Sequence, residues 1–356
     1  MIPPSEIKAQ ALEVGFDLCG IAPAAGFPEL GRLGEWIAQG YAGDMSYMAR
    51  TASRRADVRC VLPSAQSVIV AAVNYNVNRP YSTECADSSR AQIARYAWGD
   101  DYHDVLAHRL ETLLAWMRDR HGQPFDARAY VDTGPVQERV YAQYAGIGWI
   151  GKNTCVINPL VGSWIFLSEI ICSLTLEPDA PALDQCGTCA LCLEACPTGA
   201  IVEPWMVDAT RCLSYLTIEL RAPIPESQRD ALGTHVFGCD ICQDVCPWNA
   251  QAACSDDPSW QPRGSLTAPR LVDLWNRSDA ELGEIVRGSP LTRPRLHGLR
   301  RNLAVALGNS GTSEAAEALD HEKDDDSVQN PIVAEHVRWA KEKLRQNQYT
   351  PQRTQR

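Results

Sequence analysis

The sequence predicts a mixed α/β or α+β core, then a cysteine-dense segment, then a helical C-terminal region. Three observations carry that prediction. Apolar, β-branched runs alternate with helix-periodic stretches as far as residue 178. Eight of the 14 Cys lie between residues 186 and 246. From residue 256 to 345 the pattern is again helical. A length of 356 residues with 45% hydrophobic residues suits two or three domains and a sizeable core.

Residues 1 to about 60 read as helices broken by Gly-rich stretches such as "LGEWIAQGYAGDMSYM". "SVIVAAVNY", 67 to 75, reads as a buried strand. "DYHDVLAHRLETLLAWMRDRHG", 101 to 122, has helical periodicity and a Gly stop. "DARAYVD", 126 to 132, reads as a strand. The following "TGPVQERVYAQYAGIG" is a turn and a helix, with Pro135 suited to the first helical position and Gly146 or Gly148 to the stop. "TCVINPLVGSWIFLSEIICSLTL", 154 to 176, reads as two strands joined by a Pro/Gly turn, and "EPDAPALD" as a linker. Beyond the cysteines, "LRRNLAVALGNSG" (299 to 311), "SEAAEALD" and "PIVAEHVRWAKEKL" (331 to 344) resemble a short HEAT-type helix pair, and the polar tail 346–356 reads as disordered.

The N-terminal segment lacks the charged-then-apolar layout of a signal peptide, and no apolar run is long enough to span a membrane. The expectation is a cytoplasmic chain, where thiols stay reduced and clustered Cys signals metal rather than disulfides. Cys186, Cys189, Cys192 and Cys196, with Pro197, form the C-x2-C-x2-C-x3-C-P run of bacterial ferredoxins. Cys239, Cys242 and Cys246, with Pro247, form a second group that lacks its first member, and Cys212 between them can supply it. A cubane cluster needs four converging thiolates. The loop C-x2-C-x2-C wraps three of them, and the next Cys of the run points to the other cluster. Cys186, Cys189, Cys192 and Cys246 are therefore assigned to one [4Fe–4S] cluster, and Cys196, Cys212, Cys239 and Cys242 to a second. The alternative, two zinc sites, fits the paired CP endings and the crossover spacing less well. Two clusters in tandem move single electrons, so the preceding 180 or so residues must hold the acceptor chemistry.

No G-x-G-x-x-G follows a predicted strand there, and no Walker A run appears. "DYH", 101 to 103, begins like the cobalamin-ligating D-x-H-x-x-G motif, but Leu106 stands where its Gly belongs, which argues against His103 as a lower ligand. Asp132 sits at a strand end before a helix, where a carboxyl either caps the helix or, with its pKa raised by burial, donates a proton. "GWIGKNTCVINPLVGSW", 148 to 164, is either a plain hairpin or an amide-rich rim for a large ligand near Lys152 and Asn153. The net charge of −11 argues against a general polyanion binder. Against that background, Arg287 to Arg301 holds five Arg and His297 with no acidic residue, either a solvated helix face or a landing strip for nucleic-acid phosphate.

In order, "RYAWGDDYHDVL", "YVDTGPVQERVYA", "GWIGKNTCVINPLVGSW", "CGTCALCLEACPTGAI", "CLSYLTIE", "GCDICQDVCPWN" and "LRRNLAVALGNSG" resemble the epoxyqueuosine reductase family over about residues 5 to 345. The resemblance implies a cobalamin-dependent iron–sulfur oxidoreductase. Its reaction would be the last step of queuosine biosynthesis, reduction of epoxyqueuosine at the wobble position of GUN-anticodon tRNAs (those for aspartate, asparagine, histidine and tyrosine). It implies a nitroreductase-like α/β corrinoid domain (1–178), a ferredoxin-like two-cluster domain (179–255) and a HEAT-like helical region contacting tRNA (256–345). The corrinoid is held base-off in that family, in keeping with the broken D-x-H motif. By position, Asp132 matches the proton donor. Arg55, Lys152, Asn153, Val156 and Ser214 match corrinoid contacts, and Arg139 matches a position near tRNA. Arg293, Arg295, Arg300 and Arg301 of the basic strip become the expected phosphate contacts. An external single-electron donor and a monomer are implied. Two departures stand out: "TIELRAPIP" lacks the family's usual His, and "INP" replaces "IHP". The rival readings are a reductive dehalogenase-like enzyme, disfavoured by the lack of a twin-Arg signal and by the helical C-terminus, and a ferredoxin-type carrier, which leaves the large N-terminal domain unexplained.

Overall fold

The structure is a computed structural model that describes residues 2–264, 266–321 and 325–349. Its centre is a four-stranded sheet of β1 (Leu18–Pro23), β2 (Ser67–Asn74), β3 (Ala127–Tyr130) and β4 (Ile165–Cys172), in the order β1-β2-β4-β3. Every neighbouring pair is antiparallel. Of the two classes the alternation allowed, α+β is the one formed, because the connections return each strand beside its partner in the opposite sense. Strand β2 is buried along its whole length. Its odd residues Ile69, Ala71 and Val73 enter one apolar layer, and Val68, Val70 and Ala72 enter the other.

Strand β1 falls where the sequence pattern predicts helices and breaks. Its "LCGIAP" is short and ends in Pro, so it carries little strand pattern of its own. Pairing with β2 decides it. Gly20 is required there, since a Cβ would lie 2.0 Å from the Ala145 carbonyl oxygen.

Around the sheet lie α1 (Pro4–Glu13), α2 (Ser46–Arg55), α3 (Tyr102–His121) and α4 (Glu138–Tyr144). Helix α3 matches its expected span. Asp101 caps it by accepting from the His103 N–H, and Gly122 ends it at φ +70°. Helix α4 begins later than expected. Pro135 lies in the preceding loop, which tertiary bonds hold open: the Arg55 guanidinium donates to the Val136 carbonyl (2.7 Å), and the Gln137 amide to the carbonyls of Leu30 and Arg55.

The short helices of the cysteine-dense segment include α5 (Leu191–Ala195), α6 (Leu213–Ile218) and α7 (Ile241–Asp244). Residues His235–Phe237 pair in parallel with Gln92–Ile93, which joins this segment to the N-terminal part. Helices α8 (Arg295–Ser310), α9 (Ser313–Asp320) and α10 (Pro331–Tyr349) follow. One apolar cluster runs from Ile7 and Leu110 through Leu303 to Leu344, so the core is continuous between the N-terminal part and these helices. The tail expected to be disordered from residue 346 is helical as far as Tyr349, and residues 350–356 lie outside the described residues. Among the described residues no helix is long and apolar enough to cross a membrane.

Two expected phosphate contacts are part of this interior. Arg300 and Arg301 are 0% and 1% exposed. The Arg300 guanidinium donates to the carbonyls of Trp275 and Arg277 and pairs with Asp279 at 3.2 Å. That of Arg301 donates to the carbonyls of Leu216, Leu220 and Ala222, tying α8 to the segment after α6. Both satisfy orphan carbonyls at the ends of other elements, so neither is available to tRNA.

Replacing Arg300 by Ala strands these acceptors and the Asp279 carboxylate. The expected cost is about 3–5 kcal/mol of unfolding free energy in urea titration, against about 0.5 kcal/mol or less for exposed Arg295→Ala.

Candidate active site

A cavity of about 1620 Å³ opens between the sheet, the cysteine-dense segment and the start of the helical region. Typical small-ligand pockets measure about 300–1,000 Å³, so this one suits a larger occupant. Its floor comes from α2, the β3–α4 loop and α4, and its opposite wall from α6 and the residues around Cys239.

The eight cysteines divide as their spacing demands. Burial, and then the thiols of Cys246, Cys186 and Cys189, push the Cys192 thiol up to about 11. Cys239 is raised mainly by burial, with Cys212 and Cys196 beside it. Cys242 adjoins Cys239 and Cys212. Cys196 and Cys246 thus each sit with the set expected for them, not with their sequence neighbours. Among the described residues no group of three or more metal-ligating side chains is placed to hold a single metal ion. All four members of the second set, Cys196, Cys212, Cys239 and Cys242, line the cavity, and none of the first set does. The cavity set is therefore the inner one. Cys196 already accepts from the Ala200 N–H at 3.2 Å. Such bonds favour a sulfur carrying negative charge. A ninth thiol, Cys155, also adjoins Cys242.

Facing the inner thiols is a hydrogen-bonded group that sequence reasoning alone does not find. Asp132 stands at φ +55°, a left-handed conformation that Asp tolerates better than most residues. Its carboxylate accepts from the Tyr102 hydroxyl (3.0 Å) and meets His103 Nε2 at 3.3 Å. His103 Nδ1 meets Asp101 at 2.7 Å. Tyr102 is fixed by stacking on Phe166, with ring centroids 4.4 Å apart. Both ring nitrogens of His103 face carboxylates. Burial alone would lower its pKa, but the bonds to Asp101 and Asp132 overcome that and raise it to about 9. Burial alone would raise Asp132, yet His103, Tyr102 and Arg139 outweigh it, and the carboxyl sits below its ordinary value. The sequence expectation puts a proton on Asp132 itself. With His103 raised and Asp132 lowered, the proton of the pair is favoured on the imidazole rather than on the carboxyl. The signal is present in "DYH", where the pattern by itself suggests only a broken corrinoid-ligand motif.

Of the other expected residues, Arg55, Asn153, Ser214, Arg139 and Arg293 line the cavity. Asn153 is buried and donates to the Cys242 carbonyl at 3.3 Å. Lys152 and Val156 do not reach the cavity. The Lys152 ammonium donates to the carbonyls of Gly187 (2.7 Å) and Cys189 (2.8 Å), clamping the first cluster loop. Val156 pairs with Ile150 and packs into the core. At the mouth Arg293 pairs with Glu219 at 3.1 Å. Arg221 donates to the Arg293 carbonyl, and Arg295 is exposed nearby.

Comparison with known proteins identifies the family to which the chain belongs. Residues 55–133 match the family model "Epoxyqueuosine reductase QueG, DUF1730", and residues 185–249 match a 4Fe-4S double cluster binding domain. The chain is 40% identical over 341 residues to epoxyqueuosine reductase of Xanthomonas campestris pv. campestris, covering 94% of each chain. It is 38% identical over 337 residues to that of Escherichia coli K12, covering 94% of this chain and 88% of the other. Among solved structures, epoxyqueuosine reductase with an epoxyqueuosine-modified tRNA-Tyr stem loop superposes with a TM-score of 0.86 at 30% identity, covering 96% of this chain and 89% of that one. The Bacillus subtilis enzyme, in a form with its catalytic aspartate loop swung out of the active site, gives 0.83 at 29% identity, covering 98% and 95%.

Two outcomes check this geometry. Cys246→Ala should leave about four of the roughly eight irons of two cubanes, because its partners are Cys186, Cys189 and Cys192; iron analysis and electron paramagnetic resonance would read the loss. His103 has a folded pKa raised from 6.5 to about 9, so its stabilising contribution is complete below pH 6.5 and is lost as pH rises through about 9. His103→Gln should flatten that alkaline decline in unfolding midpoint.

Proposed function

The chain belongs to the epoxyqueuosine reductase family, and on that premise we propose that it reduces epoxyqueuosine to queuosine at the wobble position of tRNA. The observation that carries this reading is the cavity itself. One wall holds four thiols of a cluster site, and the other holds a carboxylate bonded to an imidazole that its two carboxylate partners raise to about 9. Electrons and protons therefore reach one volume from opposite sides, as reduction of an epoxide to an alkene requires.

Cobalamin fits this volume, and Arg55, Asn153 and Ser214 are the cavity-lining residues that would hold it. When bound it supplies a low-valent cobalt able to accept single electrons and cleave a C–O bond. The chain's own residues do the rest. Cys186, Cys189, Cys192 and Cys246 would hold an outer cluster able to take single electrons from an external donor, and the cavity-lining Cys196, Cys212, Cys239 and Cys242 would hold an inner cluster able to pass them on. Lys152 holds the outer loop in place. Asp132, fixed by Tyr102, aims the proton of His103 at the epoxide oxygen, because an alkoxide is a poor product at neutral pH. The described form of the Bacillus subtilis enzyme with its aspartate loop swung out supports a mobile role for the strained Asp132 loop.

On this reading residues 1–178 form a nitroreductase-like corrinoid domain, 179–255 a ferredoxin-like domain, and 256–345 a HEAT-like region that helps hold the tRNA. The chain acts as a cytoplasmic monomer on the GUN-anticodon tRNAs. A body of charge −11 repels polyanions, so docking falls to the basic rim. Arg139, Arg293 and Arg295 remain from the expected set, Arg221 joins them, and the buried Arg300 and Arg301 leave it.

Anaerobic reconstitution with iron, sulfide and cobalamin, then assay on an epoxyqueuosine stem-loop, should give queuosine. Asp132→Asn should cut turnover by about 10²–10⁴-fold with both cofactors retained; a wild-type rate would remove Asp132 from this role. Joint Arg293→Ala and Arg295→Ala should reduce the slope of log affinity against log salt by about 0.7–0.9 for each phosphate no longer neutralised. An unchanged slope would place the tRNA elsewhere.

A further inference from the structure

The reduction balances only with two protons. The epoxide takes up two electrons and two protons, and leaves an alkene and water. One C–O bond breaks as the oxygen takes the first proton and becomes a hydroxyl. The second C–O bond breaks as the electron pair closes the C=C bond, and the oxygen departs with the second proton as water. The His103–Asp132 pair holds one proton in the site, so a second must come from elsewhere.

Two further carboxyls converge on Asp132. Glu138, the first residue of α4, is half-buried in the cavity wall that Asp132 also lines. Glu169, on the central strand β4, is 1% exposed, and its Oε2 has no hydrogen-bond partner. The groups facing Glu138 come from every element around it: Asp132 from the β3–α4 loop, Arg139 from α4, Arg55 from α2, Tyr102 from α3 and Glu169 from β4. Neither guanidinium makes an ion pair with it among the described residues. Arg55 is spent on the Val136 carbonyl and the Thr51 hydroxyl, and Arg139 on the carbonyl and hydroxyl of Thr154. Three neighbouring carboxyls without a salt bridge to Arg cannot all ionise. His103 keeps Asp132 ionised, so the protons collect on the other two.

Resting on the reading above, we propose that Glu138 is the reserve that recharges Asp132 with the second proton of each turnover. Once Asp132 has passed on the His103 proton, Glu138 is the adjacent acid on the cavity wall. Glu169 lies deeper, with no opening to the cavity. It stays neutral, since burial beside Glu138 and Asp132 lifts it well above the carboxylate range. The helix N-terminus favours ionised Glu138, but burial, followed by the charge of Asp132, overrides it and brings its pKa to about 7. A group with that value is half-loaded near neutrality and can both give and regain a proton.

The test uses pre-reduced holoenzyme in single turnover on the epoxyqueuosine stem-loop across pH, with Glu138→Gln and Glu138→Asp beside wild type. The wild-type rate should fall as pH rises through about 7. Glu138→Gln should be slower by roughly 10-fold or more and lose that fall, and Glu138→Asp should restore it. Infrared spectra of the same holoenzymes give a readout independent of turnover. The difference spectrum of wild type minus Glu138→Gln should hold a protonated-carboxyl C=O band that titrates near neutrality. A Glu138→Gln enzyme with wild-type rate and pH profile, or with the band intact, overturns the proposal. Wild type that keeps the band but leaves the stem-loop unconverted overturns the functional reading, and the proposal with it.

Discussion

The crossing of Cys196 and Cys246 between the two thiol sets is the constraint on which the rest of the structure depends. Each residue directly precedes a Pro, and each contributes to the set built mainly from the other segment. The two cluster sites therefore cannot form separately, and neither can move without the other. Residues 186–196 and 239–246 are locked together, the short helices α5 and α7 pack against one another, and His235–Phe237 pairs with Gln92–Ile93. The inner set is thereby fixed against a cavity whose floor belongs to the sheet domain. A wire of this kind works only if its last member is held steady beside the acceptor.

The opposite wall is organised by charge. Asp101, His103 and Asp132 are one unit in which two carboxylates share one imidazolium. Its position depends on the N-cap of α3 and on a left-handed residue after β3. Beside it lie Glu138, on the cavity wall, and the buried Glu169. Proximity alone forces their protonation states apart. The two carboxyls bonded to His103 are held below their ordinary values, buried Glu169 is held well above, and Glu138 on the cavity wall comes to about 7.

The arginines separate along a different line, between interior and rim. Five Arg fall in the basic strip, yet neighbouring residues of one segment meet opposite fates. Arg300 and Arg301 turn inward to carbonyls left open by neighbouring elements, whereas Arg293 and Arg295, before and at the first turn of α8, stay at the mouth of the cavity. A run of like charge in sequence is thus not a surface until the helix face is known. Lys152 teaches the same lesson: it belongs to the cluster loop, because two carbonyl acceptors lie within its reach.

What the sequence by itself determined was the set of thiols and their crossover, since a cubane admits few loop spacings, together with the long helix ended by Gly122 and the buried strand β2. These are local or stoichiometric constraints, and they survive in one dimension. Only the tertiary structure decided that β1 is a strand, that α4 starts after Pro135, and that Arg300 and Arg301 are core while Glu138 and His103 face the site. Each of these depends on which distant group lies within a few ångströms, a carbonyl, a carboxylate or a partner strand. No spacing along the chain records that distance.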